Sequence, residues 1–160
     1  MWALWAIALL LALCSCGGYR GQDVVRVGVN SDEWSAKQRT NIELELANLT
    51  QAYGITFELI EETEVESADV HLRHRANPNW LVEGWRTDYS DDVNINTENP
   101  SVVLPLKFRA VVGHEISHWL GMNHLKEDGH MLSWSAGGDV PTAFDLAEFQ
   151  RATGRQPGLR

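Results

Sequence analysis

His114-Glu115-Ile116-Ser117-His118-Trp119-Leu120-Gly121-Met122-Asn123-His124 is the stretch from which the rest of this 160-residue chain can be read. Two histidines four positions apart share one face of a helix, so their ring nitrogens can reach a single ion. A third histidine continuing that helix could not reach the ion well. Gly121, however, can adopt a positive φ, end the helix and turn the chain so that His124 arrives from another side. Three neutral imidazoles leave the fourth tetrahedral position to water, the pattern of a catalytic zinc site rather than a closed structural one. Zinc lowers the pKa of that water to about 7, and Glu115, next to the first ligand, is placed to take its proton and pass it to a leaving amine. Imidazole suits the ligand positions because it adds no negative charge to the ion. A carboxylate suits position 115 because the base must stay off the metal. The five fixed residues of the pattern arise by chance in roughly one chain of this length in twenty thousand. His114, His118 and His124 are therefore the candidate ligands of one Zn2+, and Glu115 the candidate catalytic residue.

Apolar residues surround the motif. Phe108, Val111, Val112, Ile116, Trp119 and Leu120 cover most of the circumference of a helix over residues 106–120, opened by Pro105, and predict a central, largely buried element. Upstream, residues 24–29 alternate as a strand with Val25, Val27 and Val29 inward. A long helix follows, capped by Asn30 with Glu33, carrying Trp34, Ile42, Leu46, Leu49 and Tyr53 on one face and stopped by Gly54. Residues 55–60 form a second strand, and an acidic, solvated connection leads to short strands over 69–73 and 92–96. The Asn, Pro, Gly and Trp segment over 77–85 has no regular pattern. Downstream, Thr142 with Asp145 caps a last helix bearing Phe144, Ala147 and Ala152 and ended by Gly154, after which residues 155–160 read as a frayed tail. The fold class is α+β: a small mixed, twisted sheet with a long helix, the central motif helix and a C-terminal helix.

The remaining arithmetic bounds the setting. With 44% hydrophobic and 22% charged residues, a single ordered domain is expected. Thirteen basic against 22 acidic residues, a net charge of −9, leave no surface suited to nucleic acid. The charge is absent from the start of the chain, where Trp2 to Leu13 is an unbroken apolar run, shorter than the roughly 20 residues of a spanning helix and of the length of a secretory signal core. Leu13-Cys14-Ser15-Cys16 resembles a bacterial lipobox, with Cys16 as the lipidation candidate. Residues 1–16 thus read as an export signal and residues 23–155 as the catalytic domain, an exported, envelope or extracellular monomer that meets a membrane only through its leader or a lipid anchor. Since the body has no cysteine, disulfides do not hold it together.

The full HExxHxxGxxH pattern of residues 114–124, together with Met131 seven residues after His124 in Gly129-His130-Met131-Leu132-Ser133, resembles the metzincin clan of zinc endopeptidases. The element order is similar to a matrixin-type catalytic domain across nearly the whole body. The resemblance implies a Met-turn at Met131 beneath the metal, a protein or peptide substrate, and an edge strand that holds that substrate by strand addition, bordered by residues 80–86. It also departs from the family pattern. Leu125 follows the third ligand and fits none of the common subfamilies, Ser133 stands where some members keep a tyrosine, and no propeptide fits between Gly17 and Val24. Walls of a specificity pocket are expected from residues 132–140, with Trp134 making it shallow and apolar.

Other residues carry weaker readings. His71 and His74, three apart in a strand, face opposite ways and make a poor second metal site. His130 reads as a turn residue. Asp88, Asp91 and Asp92 offer carboxylates of the kind related enzymes give to calcium, against the plainer reading of a solvated charge cluster. Two alternatives to peptide-bond hydrolysis stand beside it: a zinc-binding envelope protein that recognises a partner without hydrolysis, and a zinc hydrolase of a non-protein amide such as a cell-wall peptide.

Overall fold

Alternating β-branched residues build the frame. In the computed structural model, which describes residues 18–61, 68–77, 83–86, 90–126, 130–133, 138 and 140–158, strand β1 (Val24–Val29) buries Val25, Val27 and Val29 completely and leaves Val24 and Arg26 exposed. There follow α1 (Ala36–Tyr53), β2 (Thr56–Glu61), β3 (Val70–Arg75), β4 (Gly84–Arg86), β5 (Asp92–Asn96), α2 (Pro105–Trp119) and α3 (Ala143–Thr153). The class is α+β, with one five-stranded mixed sheet in the order β2-β1-β3-β5-β4. β1 pairs in parallel with β2 and β3, and β3 in parallel with β5, while β4 runs antiparallel to β5 at the sheet edge. A parallel pair needs a crossover, and α1 supplies it between β1 and β2.

The two long helices pack on each other and on the sheet, α1 beside β2 and α2 beside β4 and β5. Val25, Val27, Val29, Val70, Leu72, Val93 and Ile95 from the strands join Ile42, Leu46 and Leu49 of α1 and Phe108, Val112 and Ile116 of α2 in one core. Burial of that apolar area, at about 25 cal/mol per Å², is what holds α2 in place. The motif helix is therefore rigid because its other faces are core.

Several local expectations need correcting. Helix α1 begins at Ala36 because Ser35, not Asn30, is its N-cap: the Ser35 hydroxyl accepts from Gln38 N, and the Gln38 side chain accepts from Ser35 N. Asn30 Oδ1 instead accepts the Asp32 N–H at 3.0 Å in a turn. Trp34 is buried ahead of the helix, edge-on to Phe108 and to His74. Strand β4 begins at the end of the segment without regular pattern and runs one residue past it; three residues are too few to show alternation, and pairing with β5 creates it. In α3 the Thr142–Asp145 capping box forms as read, but Phe149 makes the core contact, stacked on Tyr53 at 4.5 Å, whereas Phe144 is 60% exposed.

The described part of the tail is not frayed. Arg155 donates to the Tyr19 hydroxyl at 3.0 Å and to the Gly21 carbonyl at 3.1 Å, and it pairs with Asp23 at 2.6 Å. Gly158 N donates to the Ala52 carbonyl at 3.0 Å. The leader with Cys14 and Cys16, the acidic stretch 62–67, Trp80 and Trp134 lie outside the described residues. Among the described residues no helix is long and apolar enough to cross a membrane.

Arg155→Ala removes the tie between the tail and residues 19–23. A loss of about 1 kcal/mol is expected for these half-exposed bonds, read as a Tm roughly 2–4 °C lower; an unchanged Tm contradicts the anchoring.

Candidate metal centre

One turn of α2 separates His114 from His118, and their Nε2 atoms stand 2.9 Å apart. After α2 the chain reaches Gly121 at φ 90°, a conformation that costs other residues about 1 kcal/mol or more. That reversal brings His124 Nε2 to 3.2 Å from each of the other two. Nitrogens bound to one ion at 2.0–2.1 Å and tetrahedral angles lie roughly 3.3 Å apart. The triangle of 2.9, 3.2 and 3.2 Å is thus of the size a shared ion requires. Among the described residues, these three histidines form a group able to hold a metal ion.

Hydrogen bonds set which nitrogen is available. His114 Nδ1 donates to the Met131 carbonyl at 2.7 Å, and His118 Nδ1 donates to the Met122 carbonyl at 2.8 Å. A carbonyl can only accept, so the proton of each neutral ring lies on Nδ1 and the Nε2 lone pair faces the common point. Burial also keeps the rings neutral. It lowers the pKa of His114 to about 3, helped by the neighbouring His118, and it is the first cause of the downward shifts of His118 and His124. The unprotonated imidazole is the form that binds a metal.

The loop carrying His124 is tied on both sides. Asn123 N donates to Glu148 Oε1 of α3 at 2.8 Å, and Leu125 N donates to the Leu132 carbonyl at 2.9 Å. Met131, fully buried, sits in a tight turn closed by Ser133 N donating to the His130 carbonyl at 3.1 Å. The Met131 carbonyl is the acceptor that orients His114.

The sequence did not mark Asp145 as part of the site, only as a helix cap. Its fully buried carboxylate accepts from Leu132 N at 3.0 Å, from Met131 N at 3.3 Å, and from Thr142 N and Oγ1 at 2.7 Å each. One capping residue therefore also holds the turn that holds His114. The signal available in the sequence was the capping-box spacing alone; nothing in it distinguishes a buried cap from a solvated one.

Glu115 lies on α2 with 5% of its surface exposed. Burial, and secondarily the nearby Glu83, push its carboxyl up to about 8. A cation at the imidazoles acts in the opposite direction. The Tyr53 hydroxyl and Ser117 Oγ of α2 are 3.0 Å apart, and Ser117 Oγ donates to the Gly113 carbonyl at 2.8 Å, so these two buried hydroxyls are satisfied.

The weaker candidates go elsewhere. His74 Nε2 meets Thr97 Oγ1 at 2.5 Å and its ring packs on Trp34, and His71 is on the other face of β3. His130 Nδ1 bonds Thr142 Oγ1 at 2.9 Å, beside Phe144. Asp91 and Asp92 do not form the solvated cluster expected of them, nor do they converge. Asp91 Oδ1 accepts from Gly18 N and Trp119 Nε1, both at 2.9 Å, and Asp92 pairs with Arg73 at 3.0 Å. Asp88 is outside the described residues. A scan of protein-family models and a search of curated proteins find no match to this chain.

Asp145→Asn replaces one of two oxygens that together accept from three backbone N–H groups with an amide nitrogen, which donates instead. Metal affinity, measured with Zn2+ as the probe ion by competition with a chelator, is expected to fall about 10–100-fold, as for other residues that orient ligands from outside the coordination shell. An unchanged affinity contradicts the link from α3 to His114.

Proposed function

We propose that this chain is a zinc-dependent endopeptidase of metzincin type, exported on its N-terminal leader, with Cys16 as the site of lipid attachment. One observation supports it above the others: the Nε2 atoms of His114, His118 and His124 stand 2.9–3.2 Å apart, with the first two tautomers fixed by backbone carbonyls, and a buried glutamate follows His114 on the same helix. His114, His118 and His124 would hold the ion, and an all-imidazole set of this size suits zinc among the common divalent metals. Zinc bound there supplies Lewis acidity, polarising a carbonyl and lowering the pKa of a water to about 7.

The rest of the chemistry falls to the protein. Glu115 accepts the proton of the attacking water as its oxygen adds to the scissile carbonyl carbon, then gives that proton to the amine nitrogen as the C–N bond breaks. Its enclosed position strengthens both transfers by excluding bulk water. β4, outermost in the sheet and packed beside α2, offers main-chain groups to an extended peptide. Ser133 serves the turn rather than the substrate, since it is buried and donates its hydroxyl to the His130 carbonyl at 2.8 Å.

Glu115 also weighs against recognition without hydrolysis. Burying a carboxyl is costly, and a protein that only binds a partner through zinc gains nothing from one beside the ion. The test compares wild type with Glu115→Ala for zinc content and for cleavage of a denatured protein. Both are expected to carry one zinc per chain, with cleavage lowered about 10²–10⁴-fold in the variant. Absence of zinc, or equal cleavage by the two, contradicts the proposal.

A further inference from the structure

The carboxyl of Glu115 is enclosed on one side by main chain. Gly84 opens β4, pairs with Ile95 of β5 and turns its unsubstituted Cα toward α2. A β-carbon built there would stand 2.7 Å from Glu115 Cγ, 2.8 Å from Oε1 and 3.0 Å from Cδ. Carbon atoms in ordinary contact are about 3.5–4.0 Å apart. No side chain fits at position 84 while Glu115 keeps this rotamer. The three nearest atoms all belong to Glu115, so that side chain is the first a β-carbon at position 84 would meet.

Neither partner is free to yield by moving its backbone. Glu83, just before Gly84, pairs with Lys107 of α2 at 2.7 Å, and its carbonyl accepts from Asn96 N at 2.8 Å. Asn94 Nδ2 donates to the Trp85 carbonyl at 3.2 Å, and Arg86 donates to the His118 carbonyl at 3.4 Å and the Ser90 carbonyl at 3.3 Å. The strand is thus tied to α2 at both ends. On the helix, residue 115 stands between two histidines whose rings are held by the Met131 and Met122 carbonyls. What can move is the Glu115 side chain, by changing rotamer.

We infer that Gly84 is a positioning residue for Glu115: the absence of a side chain at this one place lets the edge strand close over the acid and hold it in a single rotamer. The inference rests on the reading of Glu115 as the base of hydrolysis. It also explains why a strand that would bind substrate begins with a residue poorly suited to strands. The glycine is required by the neighbour it covers.

Four full-length proteins test it: wild type, Gly84→Ala, Glu115→Ala and the double variant, each loaded with zinc. Gly84→Ala is expected to keep one zinc per chain and the wild-type KM for a denatured protein substrate. Its kcat should fall about 10²-fold, the size of effect that misplacing a catalytic group by an ångström produces. Its Tm is expected to drop by roughly 2–4 °C, and that drop should vanish when Glu115→Ala is also present, because the clash has lost its partner. The same Tm loss in both backgrounds overturns the inference, as does wild-type kcat in Gly84→Ala beside an inactive Glu115→Ala. If Glu115→Ala cleaves like wild type, the hydrolytic reading falls and the catalytic role of Gly84 falls with it. Should Gly84→Ala fail to fold, recovery of folding in the double variant supports the inference, and failure of both variants overturns it.

Discussion

Two carbonyl oxygens decide what this site can be. An imidazole offers a metal a lone pair only from the nitrogen that lacks a proton, and the Met131 and Met122 carbonyls fix the protons of His114 and His118 on Nδ1. Without those acceptors either ring could turn or change tautomer, and three histidines in proximity would be no more than a buried polar cluster. With them, the Nε2 atoms face one point and the rings stay neutral in a setting that resists protonation. Much of the fold can be understood as the means of holding those two carbonyls still.

Each carbonyl is held differently. Met122 follows directly on the reversal at Gly121, so its orientation comes from the local geometry of the helix end. Met131 is remote in the chain and depends on α3, through a carboxylate that accepts four hydrogen bonds at once. An unsatisfied buried N–H costs about 1–3 kcal/mol, so Asp145 stabilises the turn by more than any single surface contact. α3 itself is docked by the stacking of Phe149 on Tyr53, and Tyr53 in turn bonds Ser117 of the motif helix. The C-terminal helix is in this sense part of the candidate metal centre, although it contributes none of the three histidines.

What was legible in the sequence follows from the range of the forces involved. The strands at residues 24–29 and 92–96, the motif helix and the capping boxed last helix are written in local periodicity and local hydrogen bonds, and they form where those patterns lie. The histidine triad was legible for the same reason: its spacing encodes one helical turn and one glycine reversal. β4 was not, because a three-residue strand exists only through its partner β5. The N-cap at Ser35 was missed because four residues of capping type, Asn30, Ser31, Asp32 and Ser35, compete for that role, and the burial of Trp34 settles the contest. Asp145 and Gly84 were invisible as site residues. Their importance lies in contacts across 13 and 31 positions, and a single sequence shows only that one can cap a helix and the other can bend.

A three-imidazole site with one position left for a small oxygen ligand is the central proposal. X-ray absorption at the zinc edge of the zinc-loaded protein addresses it without reference to any activity. Four nitrogen or oxygen neighbours at about 2.0–2.1 Å with the outer-shell scattering of three imidazoles are expected, reduced to two imidazoles in His124→Ala. A six-coordinate shell of oxygens, or imidazole scattering unchanged by His124→Ala, would contradict it.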